Sequence, residues 1–239
     1  MDSIDIYNYS DCKVGIIDKK KKKNYLIKME NDFFFPSEEV FHQVVDTKQL
    51  KHVQRINDKP IVCLTMCLII YCSLLYYFFN NSFVIVDRNF IISTLILLFN
   101  IVIHECSHIL TLKMFCHESK IKMGFKFIFI YPAFYVDTSY SYFLPKFKRI
   151  AVYLAGNTAN CVFILVSMIF FPEYNKYLYL IVSNTLINFL PIVKSDGYYA
   201  FVSLYDKYSI AKSKQATYIE DFVRGMIMFG FLELLAFIT

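Results

Sequence analysis

The sequence predicts an all-α polytopic membrane protein of about five transmembrane helices. A small α+β cytosolic segment precedes the helices, and a short strand-rich, membrane-associated loop joins two of them. Three observations carry this reading. Of 239 residues, 56 % are hydrophobic and only 19 % charged, against about 45–50 % and about 25 % in soluble domains, and the mean hydropathy is +0.42. The apolar residues come in runs long enough to cross ~30 Å of hydrocarbon as helix. The basic residues between the runs fall in alternate loops, as a serpentine chain requires.

Residues 1–58 read as a soluble piece. KVGIID and NYLIKME suit short strands, and PSEEVFHQVVDTKQLKHVQRI reads as helix after Pro36 and Ser37, with acidic residues in its first turn. The expected role is a cytosolic cap or a miniature peptide-recognition module, with the transmembrane domain filling 59–239. Asp2 and Asp5 open the chain with no early apolar run, so no cleavable secretory signal is expected.

The first apolar run, 61–79, carries no charge. The second covers about 90–112, the third about 150–171 and the fourth about 177–193. A fifth, about 222–239, contains Arg224 and Glu233. Between the second and third, FKFIFIYPAFYVDTSY is rich in aromatic and β-branched residues and suits strands. It is either a loop packed on the bundle or an exposed edge able to pair with an extended peptide.

Loop charges set the orientation. The run Lys19 to Lys23, the segment 113–149 (Lys113, Lys120, Lys122, Lys126, Lys146, Lys148 and Arg149) and the segment 194–221 are basic. The alternate loops hold only Asp87 with Arg88, and Glu173 with Lys176. Basic loops stay cytoplasmic, so the N-terminus is expected in the cytosol and the protein in the plasma membrane. The net charge of +5 is too small to imply nucleic acid. Seven cysteines, an odd count with no C-x-x-C pair, imply no disulfide framework.

The second run contains His104-Glu105-Cys106-Ser107-His108, an H-E-x-x-H pattern. On a helix the two histidines share a face and can meet one zinc ion, while Glu105 beside them can serve as general base on water. Ionisable groups inside an apolar span are costly unless they pair or bind something. A purely structural polar cluster is the plain alternative. A hydrolytic zinc usually has three protein ligands and an open position. His42, His52, Cys116, His117 and Asp196 are the candidates for the third. Asp196 is expected at the cytosolic end of the fourth run, at the same membrane level as His104 and His108. Pro191 should break that run, and Gly197 should permit a strained turn beside Asp196.

H-E-x-x-H in a span, followed by Asn188, Pro191, Asp196 and Gly197 in the pattern N-x-x-P-x-x-x-x-D-G, resembles the site-2 protease family of intramembrane zinc metalloproteases. NFLPIVKSDGYY is most similar to the peptide zinc metalloprotease branch associated with bacterial peptide or bacteriocin maturation. Gly156 and Asn160 match the family's G-x-x-x-N element, and Tyr198 stands where some branches have a second glycine. The resemblance covers about 100–200. It implies that His104, His108 and Asp196 hold Zn2+, that Glu105 activates water, and that Asn188 hydrogen-bonds substrate or oxyanion. Asn160 is either a participant there or an interhelical hydrogen bond, and Gly156 a packing residue. Lys194 is either an oxyanion contact or a positive-inside anchor.

The expected partners are therefore the lipid bilayer and a peptide or transmembrane protein substrate. Two rivals stand beside the protease: a non-catalytic component of a peptide maturation, export or immunity system that keeps the metal site, and a membrane di-iron oxidase. The second needs more intramembrane histidines or carboxylates than the sequence offers.

Overall fold

A computed structural model describes residues 3–10, 12–19, 22–30, 32–80, 90–128, 131–189 and 195–205. The N-terminal part is a five-stranded antiparallel sheet: β1 (Ser3–Tyr9), β2 (Cys12–Lys19), β3 (Lys22–Met29), β4 (Asp32–Phe34) and β5 (Lys51–Asn57), in the order β4-β3-β2-β1-β5. Strand alternation gives this sheet two apolar faces. Val14, Tyr25 and Ile27 face helix α1 (Glu38–Val44), where they bury Phe41 and Val45. Ile4, Ile6, Ile17, Leu26 and Ile56 share a second cluster with residues of the long helices, among them Ile70, Leu112 and Ile150.

Here the structure departs from the sequence expectation. KHVQRI is strand β5 rather than the end of a helix. The β-branched pair Val44-Val45 weakens the helix, and the Asp46 side chain accepts from the Lys48 N–H, opening a short 3-10 turn instead. The open edge of β1 then supplies a ladder, with Ile56 opposite Ile4.

Helices α2 (Ile61–Asn80), α3 (Phe90–Phe115) and α4 (Lys146–Phe170) are long and apolar enough to cross a membrane. Leu64, Leu68, Ile91, Leu95, Phe99 and Leu110 stay exposed on α2 and α3, the surface a bilayer would cover. Helix α4 is central and packs against α2, α3, α5 (Tyr179–Phe189) and α6 (Asp196–Leu204). Of the fourth expected span the described residues form an eleven-residue helix, about 16 Å at 1.5 Å per residue. It ends two residues before Pro191. Pro191 itself, Lys194, the 81–89 loop and the fifth expected span lie outside the described residues.

The strand-rich loop is a hairpin of β6 (Met123–Ile128) and β7 (Tyr131–Val136). Gly124 lies opposite Tyr135, and any side chain at 124 would occupy the space of the tyrosine ring. The N-terminal sheet is tied to the helices at their ends. Lys13 Nζ meets the Glu118 carboxylate at 3.0 Å, Gln54 donates to the Phe115 carbonyl at 3.1 Å, and the Phe147 N–H donates to Asp58 at 3.1 Å. Gly15 on β2 leaves room for Phe143, whose ring would stand 2.9 Å from an added Cβ.

Candidate metal centre

His104 and His108 lie one turn apart on α3, both buried, with their rings edge to face at 4.9 Å. Helix geometry alone brings them to one face. What lets α4 close on that face is Gly156. A Cβ there would overlap Cε1 and Nε2 of His104 and Nε2 of His108.

Hydrogen bonding fixes which nitrogen of each ring carries a proton. His108 Nδ1 stands 2.7 Å from the Val152 carbonyl, which only accepts, so Nδ1 donates. The Thr185 hydroxyl gives its hydrogen to the Ile181 carbonyl at 2.8 Å and therefore accepts from the Asn160 amide nitrogen at 3.1 Å. This orients the Asn160 oxygen toward His104 Nδ1 at 3.3 Å, so that nitrogen donates too. In neutral rings both Nε2 atoms are then left with lone pairs.

Those lone pairs converge with a carboxylate. Asp196 Oδ2 lies 3.0 Å from His104 Nε2 and 3.3 Å from His108 Nε2, and the two Nε2 atoms are 3.3 Å apart. Three such atoms this close need a cation among them, a proton or a metal ion. A tetrahedral ion with ligands at ~2.0–2.1 Å has ligand–ligand edges of about 3.3 Å, so the donor set is compatible with a bound metal ion. Each histidine's other nitrogen is already held by an oxygen, the usual support of a ligating imidazole.

Asp196 reaches the site as the first residue of α6. Ser195 caps that helix by accepting from the Tyr198 N–H. Gly197 serves differently from the sequence expectation. None of the described glycines has a positive φ; a Cβ at 197 would instead meet the carbonyl groups of Asn188 and Phe189. The need is for close approach of α5 to α6, which also brings the buried Asn188 against the neighbour of Asp196.

Glu105 is half-buried next to the histidines. Its partner was not anticipated from sequence. Asp137 N–H bonds to the Lys122 carbonyl, so Val136, one residue back, occupies a non-hydrogen-bonded position in the hairpin. Its N–H points away from β6 and toward the Glu105 carboxylate. Of the other third-ligand candidates, none joins the cluster. His52 sits 3.4 Å from Asp5 in the sheet, and Cys116 is buried in the core beneath it.

Over 136 residues, 53 % of the chain, the sequence is 37 % identical to a Bacillus subtilis (strain 168) protein named "Putative peptide zinc metalloprotease protein YydH". The match covers 53 % of that protein, so the chain spans about half the length of the relative it matches. This is a distant relationship to a protein named as a zinc metalloprotease. No protein-family model and no solved structure matches the chain.

Proposed function

We propose that the protein is an intramembrane zinc metalloendopeptidase of the site-2 protease kind, cleaving a membrane-embedded or exported peptide or protein. The observation that carries this reading is the convergence of His104 Nε2, His108 Nε2 and Asp196 Oδ2 within 3.0–3.3 Å, each histidine held by a hydrogen bond from its far nitrogen. Zinc, when bound by these three residues, supplies a Lewis acid that acidifies water and polarises a carbonyl.

The residues around it supply the rest. Glu105 takes the proton of the attacking water as the water oxygen bonds to the scissile carbonyl carbon. The C–N bond then breaks, and Glu105 returns the proton to the leaving amine. The Val136 N–H holds the Glu105 carboxylate in place, and β7 lies alongside α3, where an extended substrate would run. Asn160 acts by orienting His104. Asn188 is the donor proposed for the oxyanion. The basic loops support a cytosolic position for the sheet and the metal centre in this reading, with water entering from that side.

The test uses full-length protein in detergent. Wild type should carry about one zinc per chain and cut a pool of apolar single-span peptides. Glu105→Gln should keep the metal and lose cleavage, and Asp196→Ala should lose both. Metal without cleavage in the wild type would favour the non-catalytic membrane component, and iron in place of zinc would revive the oxidase.

A further inference from the structure

A cavity of about 350 Å³ lies between the base of the hairpin, the 138–142 segment, α4 and α6. Three of its lining residues link it to the metal centre. Val136 is the residue whose N–H meets Glu105. Tyr153 follows Val152, whose carbonyl holds His108. Tyr199 lies one turn after Asp196 on α6. A side chain seated here would belong to a residue near a peptide bond held at the metal.

The lining has an unusual chemistry. Four tyrosines, Tyr135, Tyr142, Tyr153 and Tyr199, present rings to it. Tyr153 and Tyr199 stack at 5.4 Å, and the Tyr153 hydroxyl is tied back to Ser141 at 2.7 Å, which leaves its ring as the wall. The Tyr135 ring lies across Gly124, so the hairpin glycine creates the room for it. The lining has one lysine, Lys122, and one carboxylate, Asp137, at facing positions of the hairpin base. Their charges offset, so the cavity selects neither cations nor anions. Its remaining offer is aromatic surface, which favours offset or edge-on packing with another ring, in a volume at the low end of ordinary ligand pockets.

We infer that this cavity is the specificity pocket of the proposed peptidase and takes an uncharged aromatic side chain flanking the scissile bond. The inference rests on the protease reading but has its own test. Zinc-loaded full-length protein in detergent is incubated with a pool of synthetic peptides randomised around an apolar segment, and the cut sites are read by mass spectrometry. Phe, Tyr or Trp should be enriched at one fixed position beside the cut. Tyr199→Ala and Tyr135→Ala should reduce kcat/KM for aromatic-bearing peptides by on the order of 10–200-fold, the range for altered apolar pocket contacts, with zinc content unchanged. Tyr199→Phe should keep the preference, as should Tyr174→Ala, which changes an exposed tyrosine outside the cavity. Met123→Trp, at an exposed rim position, should fill the pocket from outside, slowing aromatic-bearing peptides and sparing glycine-bearing ones. Cleavage that Glu105→Gln abolishes but that has no aromatic preference, or a preference surviving both alanine variants and Met123→Trp, overturns the pocket alone. No cleavage by wild type overturns the protease reading and the pocket with it.

Discussion

Thr185 on α5 decides which His104 nitrogen donates on α3 without touching the ring. The threonine hydroxyl donates to its own helix, so it can only accept from Asn160, and Asn160 must then turn its oxygen toward His104. Replacing the hydroxyl removes the acceptor and frees the amide to flip. Thr185→Val should therefore weaken zinc binding by about 10–100-fold, the usual cost of losing an outer-shell partner. Thr185→Ser should restore it. Chelator-competition titration of purified protein checks both, and a Thr185→Val chain that binds zinc as tightly as wild type would remove Thr185 from the metal centre's support.

Gly156 gives a sharper steric prediction. An added Cβ at this point of α4 would overlap the Nε2 edges of both imidazoles, so a single methyl has no space. Gly156→Ala should push α4 from α3 or rotate the rings off their common point, and the purified variant should hold well under one metal per chain. Ala151→Gly, on the same helix, removes a buried methyl instead of adding one and should leave metal content unchanged at a small cost in stability. Metal analysis of the two variants side by side separates ring geometry from general loosening of α4.

Much of this was legible in the sequence because the relevant signals are local. The i, i+4 spacing places His104 and His108 on one face whatever the helix packs against, and the apolar runs of α2, α3 and α4 state their own lengths. Asp196 was reachable because loop charge put it at the level of the histidines. The N-terminal sheet was only half legible. Its two apolar faces blur the alternation that marks a one-sided strand, and Lys51–Asn57 reads as the tail of a helix until the open edge of β1 is known. Val136 and Thr185 were not legible at all. One acts through a backbone N–H set by hairpin register, the other through a hydrogen-bond chain across three helices, and neither has a sequence pattern.

Lys28 yields a pH prediction. It is buried on the face of the sheet opposite α1, its Nζ 4.3 Å from the Phe33 ring centre and 4.7 Å from that of Tyr140. Burial lowers its pKa below the ordinary lysine value, partly opposed by the charge of Asp137. The unfolded chain thus holds this proton more tightly than the folded one. In the alkaline window between the two pKa values this lysine's contribution to stability rises with pH. Lys28→Met has no such term. The stability of Lys28→Met relative to wild type should therefore be greatest near neutrality and should fall as pH rises toward the ordinary lysine pKa. Thermal unfolding of both proteins in detergent from neutral to alkaline pH checks the sign, and a difference that grows with pH would contradict it.

Metal removal tests the donor set itself. With His104 and His108 both donating through Nδ1, stripping the cation leaves two nitrogen lone pairs and a carboxylate oxygen facing each other at 3.0–3.3 Å. That arrangement is repulsive unless a proton enters or the groups move apart. Apo protein should thus unfold at lower temperature than holo protein, and added zinc should restore the loss in proportion to the logarithm of its free concentration once that exceeds Kd. A ligand at a thousand times its Kd stabilises by about 4 kcal/mol. Asp196→Asn separates charge from shape, since it keeps the side-chain size and offers an amide hydrogen to one Nε2. Its gain from zinc should shrink. Thermal scans of both chains with and without chelator read this, and a zinc-induced shift that is the same for wild type and Asp196→Asn would take the carboxylate out of the ligand set.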